Sequence, residues 1–155
     1  MKNQLDISNN DLDALVEKSR TAQRGRVAMP LTDKNYKGFQ ILYNAIQPAS
    51  YVQPHRHQAE EVWMPIRGSI ALVTFDKQGK LHEKFILSRE RTNYHLVNGG
   101  IWHSCFALEP DSIFCNISPG PFNLNQKEFA TWAPTEDLRN PKENKVYLGN
   151  LRSLF

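Results

Sequence analysis

The sequence predicts an all-β barrel with a short helix ahead of it. Short runs rich in β-branched and aromatic residues recur between Phe39 and Ile117. Turn residues punctuate them at intervals of about eight to twelve positions, as in sandwiches and barrels. No helical pattern lies between the runs to carry parallel crossovers.

The helix comes first. Ser8-Asn9-Asn10 offers capping side chains, Asp11 and Asp13 place acid in the first turn, and Leu12, Leu15 and Val16 fall at helical spacing. The pattern runs to about Arg20, and its apolar stripe is short, so the helix needs a larger body to lie on. Strands are then expected over 39–46, 61–66, 70–75, 83–87, 93–97, 103–108 and 113–117. Between them stand Gln47-Pro48-Ala49-Ser50, Arg67-Gly68, Asp76-Lys77-Gln78-Gly79, Asn98-Gly99-Gly100 and Glu109-Pro110-Asp111. Beyond Pro121 the periodicity dissolves. Residues 123–155 carry Trp132, Pro134, Pro141 and Tyr147, too aromatic for a disordered tail, so an irregular tail packed on the barrel is expected. The division is one domain over 1–155: helix and arm to about 35, barrel over 36–122, tail from 123.

With 155 residues the chain can bury a core without staples, and 40% hydrophobic with 23% charged residues is ordinary globular composition. Nineteen Lys and Arg against 16 Asp and Glu leave a net charge of +3, too little for the field of a nucleic-acid binder. The polar opening MKNQLDISNN has no apolar signal-peptide core, and no run approaches the ~18 apolar residues of a membrane span. A cytoplasmic protein is therefore expected, with no membrane or nucleic-acid partner. There Cys105 and Cys115 are thiols, although a hairpin closed by Glu109-Pro110-Asp111 would let them face each other.

Chemistry concentrates in Gln53-Pro54-His55-Arg56-His57-Gln58-Ala59-Glu60-Glu61. On a strand, residues two apart share a face, so His55 and His57 both aim inward, and Glu61 shares their parity beyond a local break. Glu60 has the opposite parity and belongs in solvent. Two imidazoles and a carboxylate form half a shell for a divalent transition metal. His103, brought in by the glycine turn of Asn98-Gly99-Gly100, is the best fourth ligand. Among five histidines an isolated His-x-His pair carries little weight. His82 fits an exposed hairpin, and His95 fits a core or groove position.

The ensemble resembles the cupin superfamily. Its first motif is His-x-His, a Glu four residues on, and a Gly seven residues further; His55, His57, Glu61 and Gly68 stand in that register. Its second motif is Pro-x-Gly-x-x-His followed by an Asn. Gly100-Ile101-Trp102-His103 matches, with Asn98 in place of the Pro and Ala107 in place of the Asn. Both departures fall on turn and packing positions. The resemblance implies a double-stranded β-helix, or jelly-roll barrel, holding one divalent ion (Fe, Mn, Ni, Zn or Co) on His55, His57, Glu61 and His103.

Within that superfamily, Leu42 to Pro48, Tyr51 to His57, Ala107 to Pro110, Ser118 to Phe122 and Ala130 to Pro134 resemble the WbuC-type cupin metalloproteins, from about Ser19 to Tyr147. That likeness implies a place in bacterial surface-polysaccharide (O-antigen, lipopolysaccharide) metabolism, without a reaction. Four ligands leave one or two coordination positions open, as in catalytic sites. Trp63, in parity with Glu61, is expected to wall the pocket, with Cys105 on the face of His103. Arg20, Arg24 and Arg26 cluster in the arm, and Arg24 and Arg26 suit a sugar phosphate or nucleotide sugar. A small metalloenzyme on a sugar-derived or anionic molecule is one expectation; isomerisation, epimerisation, hydrolysis and oxygen chemistry stay open. The alternatives are a non-catalytic small-molecule-binding module and a barrel stiffened by a structural metal. Open strand edges favour a homodimer.

Overall fold

The computed structural model describes residues 6–121, 123–139 and 141–155. Residues 1–5 of the polar opening and Phe122 of the Ser118–Phe122 run lie outside the described residues. Helix α1 (Asn9–Thr21) begins at the predicted cap. The Ser8 hydroxyl accepts from the Asp11 N–H at 3.3 Å, and the Asp11 carboxylate accepts from the Ser8 N–H at 2.8 Å. Leu15 and Val16 bury against Ala45 and Ile113 of the barrel, so packing holds the helix.

The strands form two antiparallel five-stranded sheets. The first has the order β1 (Arg26–Pro30), β2 (Phe39–Ile46), β9 (Ser112–Pro119), β4 (Glu61–Arg67), β7 (His95–Val97). The second runs β10 (Glu128–Phe129), β3 (His55–Arg56), β8 (Trp102–Ala107), β5 (Ile70–Phe75), β6 (Leu81–Leu87). From β2 onward the chain passes back and forth between the sheets, except at the β5–β6 hairpin, which makes a double-stranded β-helix of the cupin type. β2 and β5 have the predicted bounds, and the other expected strands shift by no more than two residues at an end. β1, β3 and β10 are additional. Between the sheets Ile46, Trp63, Ile70, Leu72, Val97 and Phe114 form part of one buried cluster.

Two expectations need correction. The tail is not irregular throughout: it ends in helix α2 (Pro141–Arg152). Pro141 takes the first helical position, where its missing N–H has no bond to lose, and Asn144, Leu148 and Leu151 recur on one buried stripe. That stripe has a surface to cover. Ala71, Val73 and Phe75 of β5, with Trp102 and Phe106 of β8, pack with Ala130, Ala133, Leu148 and Leu151. All six β5 residues are buried, so the strand reads as a continuous apolar run instead of an alternating one. Burying each leucine contributes about 1.5–3 kcal/mol. The second correction concerns the hairpin around Glu109-Pro110-Asp111, not the cysteines' thiol state, which is as expected. β8 and β9 flank Glu109-Pro110-Asp111 but enter opposite sheets, so no ladder brings Cys105 to Cys115. Cys105 lies opposite Leu72 and Cys115 opposite Tyr43 and Met64. Both are free, buried thiols. No described helix is long and apolar enough to cross a membrane.

Candidate metal centre

Short as it is, β3 sets the first coordinate of the site. His55 pairs with His103 of β8 in antiparallel register, and directly opposed residues share a face. Their ring centroids are 4.6 Å apart, and the His57 ring lies 5.2 Å from that of His103. The turn ahead of β8 is tied to the same segment, for the Gly100 N–H donates to the His57 carbonyl at 2.7 Å. A Cβ at position 99 would meet the Gln58 carbonyl oxygen at 2.0 Å, and Gly100 has φ +80°. The approach needs both glycines. Glu61 enters from β4 in the other sheet, so the cluster spans the space between the sheets.

Each imidazole is oriented by a carbonyl two residues away. The Nδ1 atoms of His55, His57 and His103 lie 2.9, 2.7 and 2.9 Å from the carbonyl oxygens of Gln53, Ala59 and Ile101. A carbonyl can only accept, so Nδ1 carries the proton and each neutral ring keeps its lone pair on Nε2. Candidate ligand atoms of the three histidines all lie within 4.8 Å of one another. Glu61 Oε2 sits 3.6 Å from His57 Nε2 and 3.8 Å from His103 Nε2, facing the same space beside that tighter trio. His103 Nε2 is buried without a hydrogen-bond partner. Leaving such an acceptor unsatisfied costs about 1–3 kcal/mol, which a cation at this point would remove. Three neutral imidazoles and a carboxylate are a donor set that fits a divalent transition metal.

Electrostatics separate the three rings. Burial drives the His55 pKa well below its usual value, helped by the neighbouring His103. Burial also lowers His103 to about 4, against the pull of Glu61. His57 moves the other way: the Glu61 carboxylate, 3.6 Å from its Nε2, favours the protonated ring and raises it. His55 and His103 are thus held neutral and ready to ligate, whereas His57 is the ring that protons contest first.

A family described as "Domain of unknown function (DUF6016)" matches residues 7–87, more than half of the chain. The chain belongs to the DUF6016 family. No curated protein sequence matches this DUF6016 protein significantly. Among solved structures it is similar to protein SO0799 from Shewanella oneidensis, at 14% identity and TM-score 0.60, covering 90% of this chain and 95% of that one. It is also similar to DMSP lyase DddQ from Ruegeria pomeroyi, at 13% identity and TM-score 0.55, covering 72% and 54%. Oxalate decarboxylase from Bacillus subtilis matches at 22% identity and TM-score 0.49, covering 60% of this chain; the DUF6016 protein spans only 24% of that enzyme's length. The first two of these likenesses show the cupin fold.

His55, His57 and Glu61 line a cavity of about 230 Å³, with His103 buried directly behind them. Trp63 lines it too, stacked on Phe114 at 4.8 Å with its edge towards His103 at 6.1 Å. Cys105 is another wall residue, its thiol pushed up to about 12 by burial. The structure separates the two arginines. Arg26 reaches this cavity, but its guanidinium is gripped by Glu136 at 2.6 and 2.7 Å and by the Tyr51 carbonyl at 2.9 Å. Arg24 lines a different cavity and meets Glu136 at 3.3 Å. His82 and Glu60 are exposed; His95 packs on Phe85 at 3.9 Å, apart from the trio.

Two lining residues escaped sequence reasoning. Asn116 lies opposite Trp63 on β9, in parity with Phe114. A polar residue at an inward position was a visible signal. Lys127 arrives through β10, which pairs with β3 at Glu128–Arg56 and Phe129–His55. No pattern in the tail announces that pairing.

Proposed function

We propose that this protein is a WbuC-type cupin metalloenzyme, acting on a small sugar-derived or anionic molecule in bacterial surface-polysaccharide (O-antigen) metabolism. One observation carries the reading: three histidine lone pairs and the Glu61 carboxylate gather at one point beside the cavity, with His103 Nε2 otherwise unpartnered. His55, His57, Glu61 and His103 would hold the ion. Bound there, a divalent cation supplies Lewis-acid chemistry to a ligand oxygen. The chain itself does the rest. Backbone carbonyls fix the tautomers, Glu61 offsets part of the charge, and Trp63 with Phe114 gives a flat apolar wall for a ring. A volume of about 230 Å³ is a little below the ~300–1,000 Å³ of pockets for drug-sized ligands, which favours a monosaccharide-sized molecule.

The test is elemental analysis of purified protein, followed by turnover assays on sugar acids, sugar phosphates and nucleotide sugars. The proposal predicts about one metal per chain and metal-dependent product formation. Tight binding without product would favour a binding module. A large loss of thermal stability on chelation, with no ligand bound, would favour a structural metal.

A homodimer is the proposed assembly. Val62, Met64 and Leu96 share the outer face where edge strand β7 meets β4, and Met64 and Leu96 are exposed. A monomeric mass by light scattering would remove this part of the proposal.

A further inference from the structure

The cavity holds more unanswered donors than acceptors. Trp63 Nε1 and Asn116 Nδ2 are buried polar atoms without a hydrogen-bond partner, and their side chains line the same wall. The Asn116 amide is oriented by Asn44, whose Nδ2 donates to Asn116 Oδ1 at 2.8 Å; this turns the orphan Nδ2 away from that bond. Lys127 lines the cavity as well. Among the described residues no carboxylate lies within 4.0 Å of its ammonium, which stands 5.7 Å from the Phe129 ring.

Charge points the same way. The charged residues lining the cavity are Arg26, Glu61 and Lys127, and Arg26 is neutralised by its two-pronged contact with Glu136. Lys127 and Glu61 then cancel. A divalent ion on the histidines leaves the cavity with two uncompensated positive charges in a partly buried space, where such an excess is costly.

We infer that Lys127 is a specificity-determining residue that receives the oxyanion of the substrate, a carboxylate or a phosphate, with the orphan donors of Trp63 and Asn116 on the same wall. This rests on the proposed metal centre, and it selects acidic ligands over neutral sugars. A lysine fits the role as a point charge that can meet either anion.

The experiment is calorimetric titration of zinc-loaded protein with D-glucuronate, D-glucose 6-phosphate and D-glucose, on wild type, Lys127→Met and Lys127→Arg, with zinc content measured for each. At least one anion should bind, with neutral glucose roughly tenfold or more weaker. Lys127→Met should weaken the anion by a similar factor, Lys127→Arg should recover part of it, and zinc content should not change. The preferred anion distinguishes carboxylate from phosphate. Glucose binding as tightly as the anions, anion binding indifferent to Lys127→Met, or no anion binding to the zinc-loaded wild type would each overturn the inference. Failure of wild type to take up zinc would instead overturn the metal centre. The Lys127 assignment would then be decided by comparing anion binding to that protein and to Lys127→Met.

Discussion

Two cavities in this molecule invite comparison. The larger, about 370 Å³, lies where the arm after α1 meets the start of α2, and arginines line it. By charge alone it looks like the binding site. Yet both of its arginines are already partnered: Arg20 with Glu17 and Asp111, Arg24 with Glu136. The smaller cavity, between the sheets, has few charges but two lining side chains with polar atoms that the fold leaves without partners, Trp63 Nε1 and Asn116 Nδ2. His103 Nε2 lies buried beside it in the same state; the larger cavity has one such lining atom, Asn144 Oδ1. A site shows itself less by how many charged groups it gathers than by which polar groups folding has left unsatisfied.

The strongest way to break this contrast is to remove a ligand from the smaller cavity. His103→Ala or His55→Ala should lower metal affinity about a hundredfold or more, beyond the 10–100-fold typical of outer-shell changes. Equilibrium dialysis against a competing chelator measures it. Arg24→Ala, made in the larger cavity, should leave that affinity unchanged.

Acid should separate the cavities next. A folded His103 near pKa 4, against about 6.5 when unfolded, means that the unfolded chain binds more protons between those values. The metal-free protein should therefore lose stability as pH falls from about 6.5 to 4, and His103→Leu should flatten that slope in denaturant titrations. In the loaded protein, protons compete for the ligands earlier. With His57 raised above its usual value, metal affinity should start to fall as pH drops through the region just above about 6.5.

Arg26 sharpens the comparison, since it touches the smaller cavity but is held as firmly as any group in the larger one. Arg26→Ala leaves Glu136 half-answered in a largely buried position. It should cost about 2 kcal/mol, or roughly 4–8 °C in Tm by calorimetry, without altering metal content. Arg24, more than half exposed, should be nearly silent: Arg24→Ala is expected to change stability by less than about 0.5 kcal/mol.

Much of the fold was legible because its strands are short, bounded by turn residues, and placed by period. Ser8 with Asp11 marked the helix start to within a residue. The histidine–glutamate set was legible for a related reason, since parity along β3 and β4 and the glycine turn are local properties. What local pattern does not reveal is how distant segments pair. Lys127 reaches the cavity only because β10 adds to β3, a pairing of residues more than seventy positions apart. β8 and β9 seemed a hairpin from their turn, yet sheet alternation parts them. The Arg24–Arg26 cluster looked available because Glu136, far along the chain, was not seen to be its partner. Helix α2 was the avoidable miss. Pro141 and the Asn144, Leu148, Leu151 stripe are helix signals, and the unalternating run of β5 called for something to cover its outer face.

Everything distinctive about the smaller cavity depends on one ion sitting between the two sheets. Crystals soaked in zinc, measured on either side of the zinc absorption edge, answer that directly. An anomalous peak about 2.0–2.2 Å from the ligating atoms of His55, His57, His103 and Glu61 is the predicted result. A map with zinc bound only elsewhere on the protein, and His103 Nε2 facing no ion, would contradict it.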